Sequence, residues 1–291
     1  VSFVDRVIFS SPLLKVGIFR CSRNDRRFAD SGPAENHLVV FPRTSVWICH
    51  EGSRPFVADP HVATIYNRGQ PYRRAHLSQD GDRSDWFGIS PAIAMAMARE
   101  VGGSMREDPD RPFQAEFRPV SPRLYAAQRE VFGLVQHGAD SLEIEERALA
   151  VVAAAIRPPE RPASGHPVGR RGTSARRDLA MQARAAIARR LFESPDLSTL
   201  AAELEVSPWH LCRLFREETG TTIHGYRRDL RLRVALERLE GAAGQVSRLA
   251  HECGFSSHSH FTAAFRKQFG FTPSAVVMPG AGEQGGERFG S

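Results

Sequence analysis

Lysine is almost missing from this 291-residue sequence: Lys15 and Lys267 are the only two among 39 basic residues. Nearly all of the positive charge is therefore guanidinium, whose planar fork matches phosphate oxygens and guanine edges. Cysteine is also scarce. The four, Cys21, Cys49, Cys212 and Cys253, lie far apart and form no C-x-x-C pair, which argues against a disulfide framework or a zinc knuckle and fits a reducing, cytoplasmic setting. Long apolar runs are absent: ALAVVAAAI at 148–156 is about half of the ~20 residues that a bilayer span requires, so no membrane role is expected. The opening VSFVDRVIFSSPLLKVGIFR carries an acid and a base inside its apolar stretch, unlike the basic start and clean apolar core of a signal peptide.

What is present is an ordinary folding composition, 41% hydrophobic and 25% charged, in a chain long enough for two domains. The net charge is +6, and it is unevenly spread. Residues 168–291 hold 18 basic against 13 acidic side chains, so most of the excess is C-terminal, where an anionic partner is expected.

Residues 37–90 read as β structure. HLVVFPR, SVWICHE, PFVADP, HVATIYN and YRRAHLS are short runs rich in Val, Ile, Thr and aromatics between Gly, Pro, Asn and Asp breaks, the rhythm of a small sandwich or barrel. Two helical segments follow, over 122–137 and 140–156. The second has Asp140 or Ser141 as its cap and a stripe of Leu142, Leu149, Val152 and Ile156. These two either form a subunit contact or pack back on their own sheet. RPPERPASGHPVGRRGTSARR, 157–177, has linker composition. The Gly-rich close, 280–291, reads as a disordered tail.

Between linker and tail the chain repeats itself. LAAELEVS at 200–207 superposes on LAHECGFS at 249–256; one residue later in register, Leu211, Phe215 and Gly220 match Phe261, Phe265 and Gly270. Each copy reads as a short helix, a tight turn, a Ser-capped second helix and a glycine stop. Ala201 and Ala250 let two steeply crossed helices approach closely. Gly254 suits the turn of the second copy; Glu205 holds that place in the first, at a cost of about 1 kcal/mol if its φ is positive. TTIHGYRRDLRLRVALERLEG, 221–241, has helical spacing of Ile223, Tyr226, Leu230 and Val234 and joins the copies as one long helix. Two equal modules on a rigid spacer point to two targets at a fixed distance, such as successive major-groove faces of B-DNA roughly 34 Å apart.

In VSPWHLCRLFREETG, 206–220, helical steps put Leu211, Leu214 and Phe215 on one face and Trp209, Cys212, Arg213 and Arg216 on the other. Arg213 suits guanine, Trp209 thymine methyls or sugar, and Arg216 phosphate. In SSHSHFTAAFRKQFG the buried face is Phe261, Phe265 and Phe269, and the exposed one is Ser259, His260, Ala263, Arg266 and Lys267, with His258 at the helix entrance. Ser207, His210 and Thr262 complete the set of DNA-facing candidates.

With its closing G-F-x-x-x-x-x-F-x-x-x-F-R-x-x-F-G-x-T-P-S run, the segment 178–279 resembles the AraC/XylS family of bacterial transcription regulators. The resemblance implies two helix-turn-helix units joined by a helix, with base reading at Trp209, Cys212 and Arg213 and then at His258, Ser259 and Ala263. Cys212, Ala263, Glu205 and the final SAVV depart from the usual pattern. FPRTSVWICHEGSRPFVADPHVATIYNRGQPYRR with GDRSDWFGIS resembles the cupin-like sensory domain that precedes many family members. Implied by that are a small-molecule or redox effector, a homodimer, promoter activation and, as partners, operator DNA and RNA polymerase. The expected architecture is an α+β two-domain chain: a cupin-like β barrel with a helical appendage over 1–157, a linker over 158–177, and an all-α DNA-binding domain over 178–279. Trp47, Tyr66, Tyr72 and Trp86 are candidates for an effector pocket, although aromatics in a small β barrel usually fill its core. His37, His50, His61, His76, Cys21 and Cys49 invite a metal reading, but the H-x-H with a spaced Glu of metal-binding cupins is missing, so no metal or other cofactor is expected. Cys49 and Cys212 are weighed as redox-active thiols. The alternatives are a cupin-type metal-dependent enzyme tethered to DNA and a regulator controlled by a partner protein.

Overall fold

The computed structural model describes residues 3–77, 79–101, 108, 110–158, 174–193, 195–239 and 246–277. The N-terminal part is built on two antiparallel sheets. The first contains β1 (Phe3–Ser10), β2 (Leu14–Cys21), β3 (His37–Pro42), β6 (Val62–Tyr66), β8 (Asp82–Ile89) and β9 (Phe117–Pro119), in the order β1-β2-β8-β3-β6-β9. The second contains β4 (Val46–His50), β5 (Phe56–Ala58) and β7 (Tyr72–His76), in the order β5-β4-β7. The chain changes sheet at β3 to β4, β5 to β6, β6 to β7 and β7 to β8, the traffic of a Greek-key sandwich. Among the described residues the strands close no barrel, so the expected barrel is two facing sheets. All five strands read from the sequence are present, and β1, β2, β8 and β9 add to them.

Alternation sets the faces. In β4, Val46, Ile48 and His50 are buried while Trp47 and Cys49 are half-buried, and β6, which pairs on both edges, is buried throughout. Three helices follow the sheet: α1 (Pro91–Glu100), α2 (Pro122–Gln136) and α3 (Ser141–Ile156). The Ser90 and Ser121 side chains accept from the Ile93 and Leu124 amides, and Asp140 accepts from Leu142, so each start is capped. Helix α3 lies on β2, β3 and β9, and Gln128 and Arg129 of α2 donate to buried Asp85 of β8 at 2.8 and 2.5 Å. The pair therefore packs on its own sheet. Its buried stripe runs through Ile144, Ala148, Val151, Val152, Ala155 and Ile156, whereas Leu142, expected in that stripe, is 71% exposed.

Most of the expected linker, residues 159–173, and the expected tail lie outside the described residues. Ser174 to Arg177 begin a helix, because SARRDLAMQARAAIAR is rich in strong helix formers. The C-terminal part consists of α4 (Ser174–Arg189), α5 (Leu197–Glu203), α6 (Pro208–Thr219), α7 (Ile223–Leu239), α8 (Val246–Glu252), α9 (His258–Phe269) and α10 (Pro273–Val277). The described fold divides into two compact bodies, residues 1–227 and 228–291. The break falls inside α7, so α4 to α6 belong to the same body as the sheets.

The tight turns of the two helix pairs obey one geometry. Gly254 has φ +75° and Glu205 has φ +55°, the one positive value on a non-glycine residue among the described residues. An L side chain in that region is strained by about 1 kcal/mol. Replacing Glu205 by Gly is expected to raise the stability of the first pair by about that amount, read as a higher urea midpoint; an unchanged or lower midpoint removes the strain from the account.

Candidate nucleic-acid interface and interior cavity

Helices α6 and α9 are both twelve residues long, and they are built alike. Ser207 accepts from the His210 amide at 3.2 Å and Ser257 from the His260 amide at 3.1 Å, while Gly220 and Gly270 close the C-termini in the left-handed conformation. The buried faces are the expected ones: Leu211, Leu214 and Phe215 in α6, and Phe261, Phe265 and Phe269 in α9.

The opposite faces are open. Trp209 is 70% exposed, and Cys212, Arg213 and Arg216 are exposed beside it, with His210 half-buried. The Arg213 guanidinium lies 5.0 Å over the indole and 3.6 Å from the Glu217 carboxylate, so its fork is held in line with the helix face. Glu217 also takes a short hydrogen bond from Arg176 of α4, which stands 3.6 Å from Glu218 as well. Sequence reasoning missed Glu217, whose carboxylate organises both arginines. On α9, His258, Ser259, His260, Ala263, Arg266 and Lys267 are exposed. The His260 ring packs edge-on against Phe255 and stands 3.4 Å from the Ser256 hydroxyl. The Thr262 hydroxyl is buried, which turns it from the exposed stripe. Ser207 serves as a cap. Each helix thus presents guanidinium, amine, hydroxyl or imidazole donors with apolar surface, a set able to contact base edges and phosphates.

Between the two sheets lies a cavity of about 350 Å³. Tyr66, Tyr72 and Trp86 line it together with Asp5, Arg74 and Asp82. Trp86 donates from its indole nitrogen to Asp5 at 3.0 Å and lies so flat on β2 that a Cβ at Gly17 would fall 2.1 Å from its ring. Buried Arg74 donates to Asp82 at 2.6 Å and to the Phe28 carbonyl at 3.0 Å, and its guanidinium stands 4.5 Å over the Phe19 ring. Burial raises the Asp82 carboxyl despite this partner and raises the Tyr66 and Tyr72 phenols. Trp47 is placed elsewhere: it packs with Val57, Leu77 and Ala185 against α4.

The histidines are scattered. His37 and His50 are fully buried, His76 is exposed, and His61 stacks on Tyr226 at 4.1 Å. Among the described residues no three of His, Cys, Asp and Glu stand close enough to hold a metal ion. Cys21 is buried and Cys49 half-buried.

Each of the two helix pairs, with its capped second helix and open polar face, has the form of a helix-turn-helix unit. Residues 200–277 match the family model described as a helix-turn-helix domain, and this segment is of the AraC/XylS type. The chain is 37% identical over 124 residues to the HTH-type transcriptional regulator GlxA of Rhizobium meliloti (strain 1021), covering 42% of this chain and 37% of that protein. It is 38% identical over 78 residues to the right origin-binding protein of Escherichia coli (strain K12), covering 27% of each. A solved AraC-type DNA-binding regulator from Chromobacterium violaceum aligns at 27% identity and a TM-score of 0.33, over 37% of this chain and 100% of that one. The chain therefore spans well under half the length of these two curated relatives.

His50 yields a pH prediction. Both of its ring nitrogens lack a hydrogen-bond partner, Tyr66 and Phe56 pack on the ring, and burial lowers its pKa from 6.5 to about 4. A depressed pKa means that its share of stability is full above the unfolded value of 6.5 and is lost as pH falls toward 4. The melting temperature is expected to drop over that interval, and to drop less in His50→Phe; equal slopes in the two proteins exclude this imidazole as the cause.

Proposed function

We propose that the protein is a sequence-specific transcription regulator that reads two successive major-groove segments of operator DNA with α6 and α9. The observation that carries this reading is the pairing of two capped helices of equal length whose apolar faces are buried and whose Arg-, Trp-, His- and Lys-bearing faces are open. The uneven charge and near-exclusive use of arginine favour a polyanionic partner. The regulator name of the Rhizobium meliloti relative points the same way. Residues 178–279 are the DNA-binding part, and 1–157 are a cupin-like sensory part whose two-sheet cavity takes a small-molecule effector. The protein acts as a homodimeric activator that engages RNA polymerase in the cytoplasm. No helix among the described residues is long and apolar enough to cross a membrane.

Within this scheme Arg213, aligned over Trp209, reads a base, and Arg216, one turn closer to the C-terminus, meets phosphate. Selection from a random duplex library with the full-length chain tests the reading. The wild type is expected to enrich two short sequence blocks one helical turn apart. Arg213→Ala relaxes one base position at a cost of about 1 to 3 kcal/mol, whereas Arg216→Ala weakens all duplexes alike. Failure to enrich any sequence, or equal effects of the two substitutions on selected and random DNA, defeats the assignment.

A further inference from the structure

The first helix-turn-helix unit is built into the same body as the β sheets, and the join has a definite chemistry. Helix α4 buries Ala183, Ala185 and Ala186, small residues that allow close approach, and Met181 and Ala185 pack with Val57, Leu77 and Trp47. At the centre stands Asp59, directly after the last residue of β5, with no solvent exposure. One of its oxygens accepts from the Arg184 guanidinium at 3.1 Å and from the His61 amide at 2.9 Å. The other takes a short hydrogen bond from the Tyr226 hydroxyl, which itself accepts from Arg184 Nε at 2.7 Å. The result is a closed triangle between the β5–β6 corner, the middle of α4 and the start of α7.

Tyr226 extends the triangle in both directions. Its ring stacks on His61 of the β domain at 4.1 Å, and it meets the Phe215 ring edge-on at 5.4 Å. Phe215 is a fully buried residue of α6, the helix that displays Trp209 and Arg213. On the other side, Ala58, the neighbour of Asp59, lines the interior cavity. A continuous run of four packed residues, Ala58, Asp59, Tyr226 and Phe215, therefore joins the cavity wall to α6 and its exposed side chains.

Burial alone would raise the Asp59 carboxyl, but Arg184 and the hydrogen bonds from His61 and Tyr226 outweigh it and hold the group well below the usual carboxylate range. The triangle is thus charged throughout neutral pH. A buried ion pair is a poor choice where only adhesion is needed, because well-packed apolar residues hold two surfaces at least as well; what it adds is one permitted geometry. Its disruption also leaves an uncompensated charge, so the join is either made or broken.

We infer that the Asp59–Arg184–Tyr226 triangle is the coupling through which the β domain governs the first reading helix. This rests on the regulator reading above. The pairing makes Tyr226 a positioning residue for α6, acting through Phe215 and touching no DNA itself.

Hydrogen exchange on the full-length chain, with binding to the selected duplex measured alongside, tests it. Tyr226→Phe removes one hydroxyl and keeps the ring; exchange at the Leu211–Phe215 amides is expected to quicken ten-fold or more, exchange at Val62–Tyr66 to stay as it was, and duplex affinity to shift at least three-fold. Asp59→Asn, close in shape, is expected to do the same. Unchanged exchange in α6, or equal acceleration in α6 and β6, overturns the coupling, since the first means no link and the second a general loss of stability. Faster α6 exchange with unaltered affinity overturns its regulatory role. If the wild type selects no DNA sequence, the regulator reading falls, and the exchange comparison still decides whether the triangle couples the two elements.

Discussion

A carboxylate with no access to water has to be answered inside the protein, and in this fold the answer to Asp59 fixes where the first helix-turn-helix unit sits. The loop that carries Asp59 belongs to the sheets, and neither of its charged or hydroxyl partners does. Arg184 comes from α4 and Tyr226 from α7. Once those two are committed, the alanine face of α4 is committed to β5, and Phe215 is held against Tyr226. The boundary between compact bodies then falls at residue 227 although the composition of the chain changes near 158. A linker marks where the chain is loosely written, whereas compactness follows the buried partners.

The sequence made α6 and α9 legible because their signals are local. A serine cap, apolar residues at three- and four-residue spacing and a terminal glycine all act within fourteen residues, and their recurrence fifty residues later doubles the information. Hence Leu211, Phe215, Phe261 and Phe265 are core, and Trp209, Arg213, Arg266 and Lys267 are open, as read from the pattern. Even the odd residue of the first turn behaves as its position requires, Glu205 having a positive φ as Gly254 has.

What escaped the sequence is non-local. Asp59 and Arg184 are 125 positions apart, and nothing in ADPHV or MQARAAI announces the other. Glu217 reads as one more acid on a helix until Arg176 and Arg213 are found on either side of it. Trp47 sits on the outward phase of β4, so it faces α4 while Tyr66, Tyr72 and Trp86 face the cavity; the aromatic content was plain, and the phase of each strand relative to its sheet was not. Strands β1 and β2 hold alternating charges and glycine amid their apolar residues, which hid them from a search for continuous runs of Val, Ile and aromatics. Leu142 went wrong for a simpler reason: the stripe of α3 starts two residues later, at Ile144.

The carboxylate of Glu217 bears on how such a protein would search a chromosome. With Arg213 and Arg176 already satisfied by this anion, a phosphate backbone of arbitrary sequence offers them little that they lack, and it must approach a like charge to offer it. Only a site that gives the Arg213 fork a better partner than Glu217 compensates for opening the pair. On the proposed DNA-reading role, residence on random duplex would be shortened relative to a helix of bare arginines, and the time saved would go to sampling new sites.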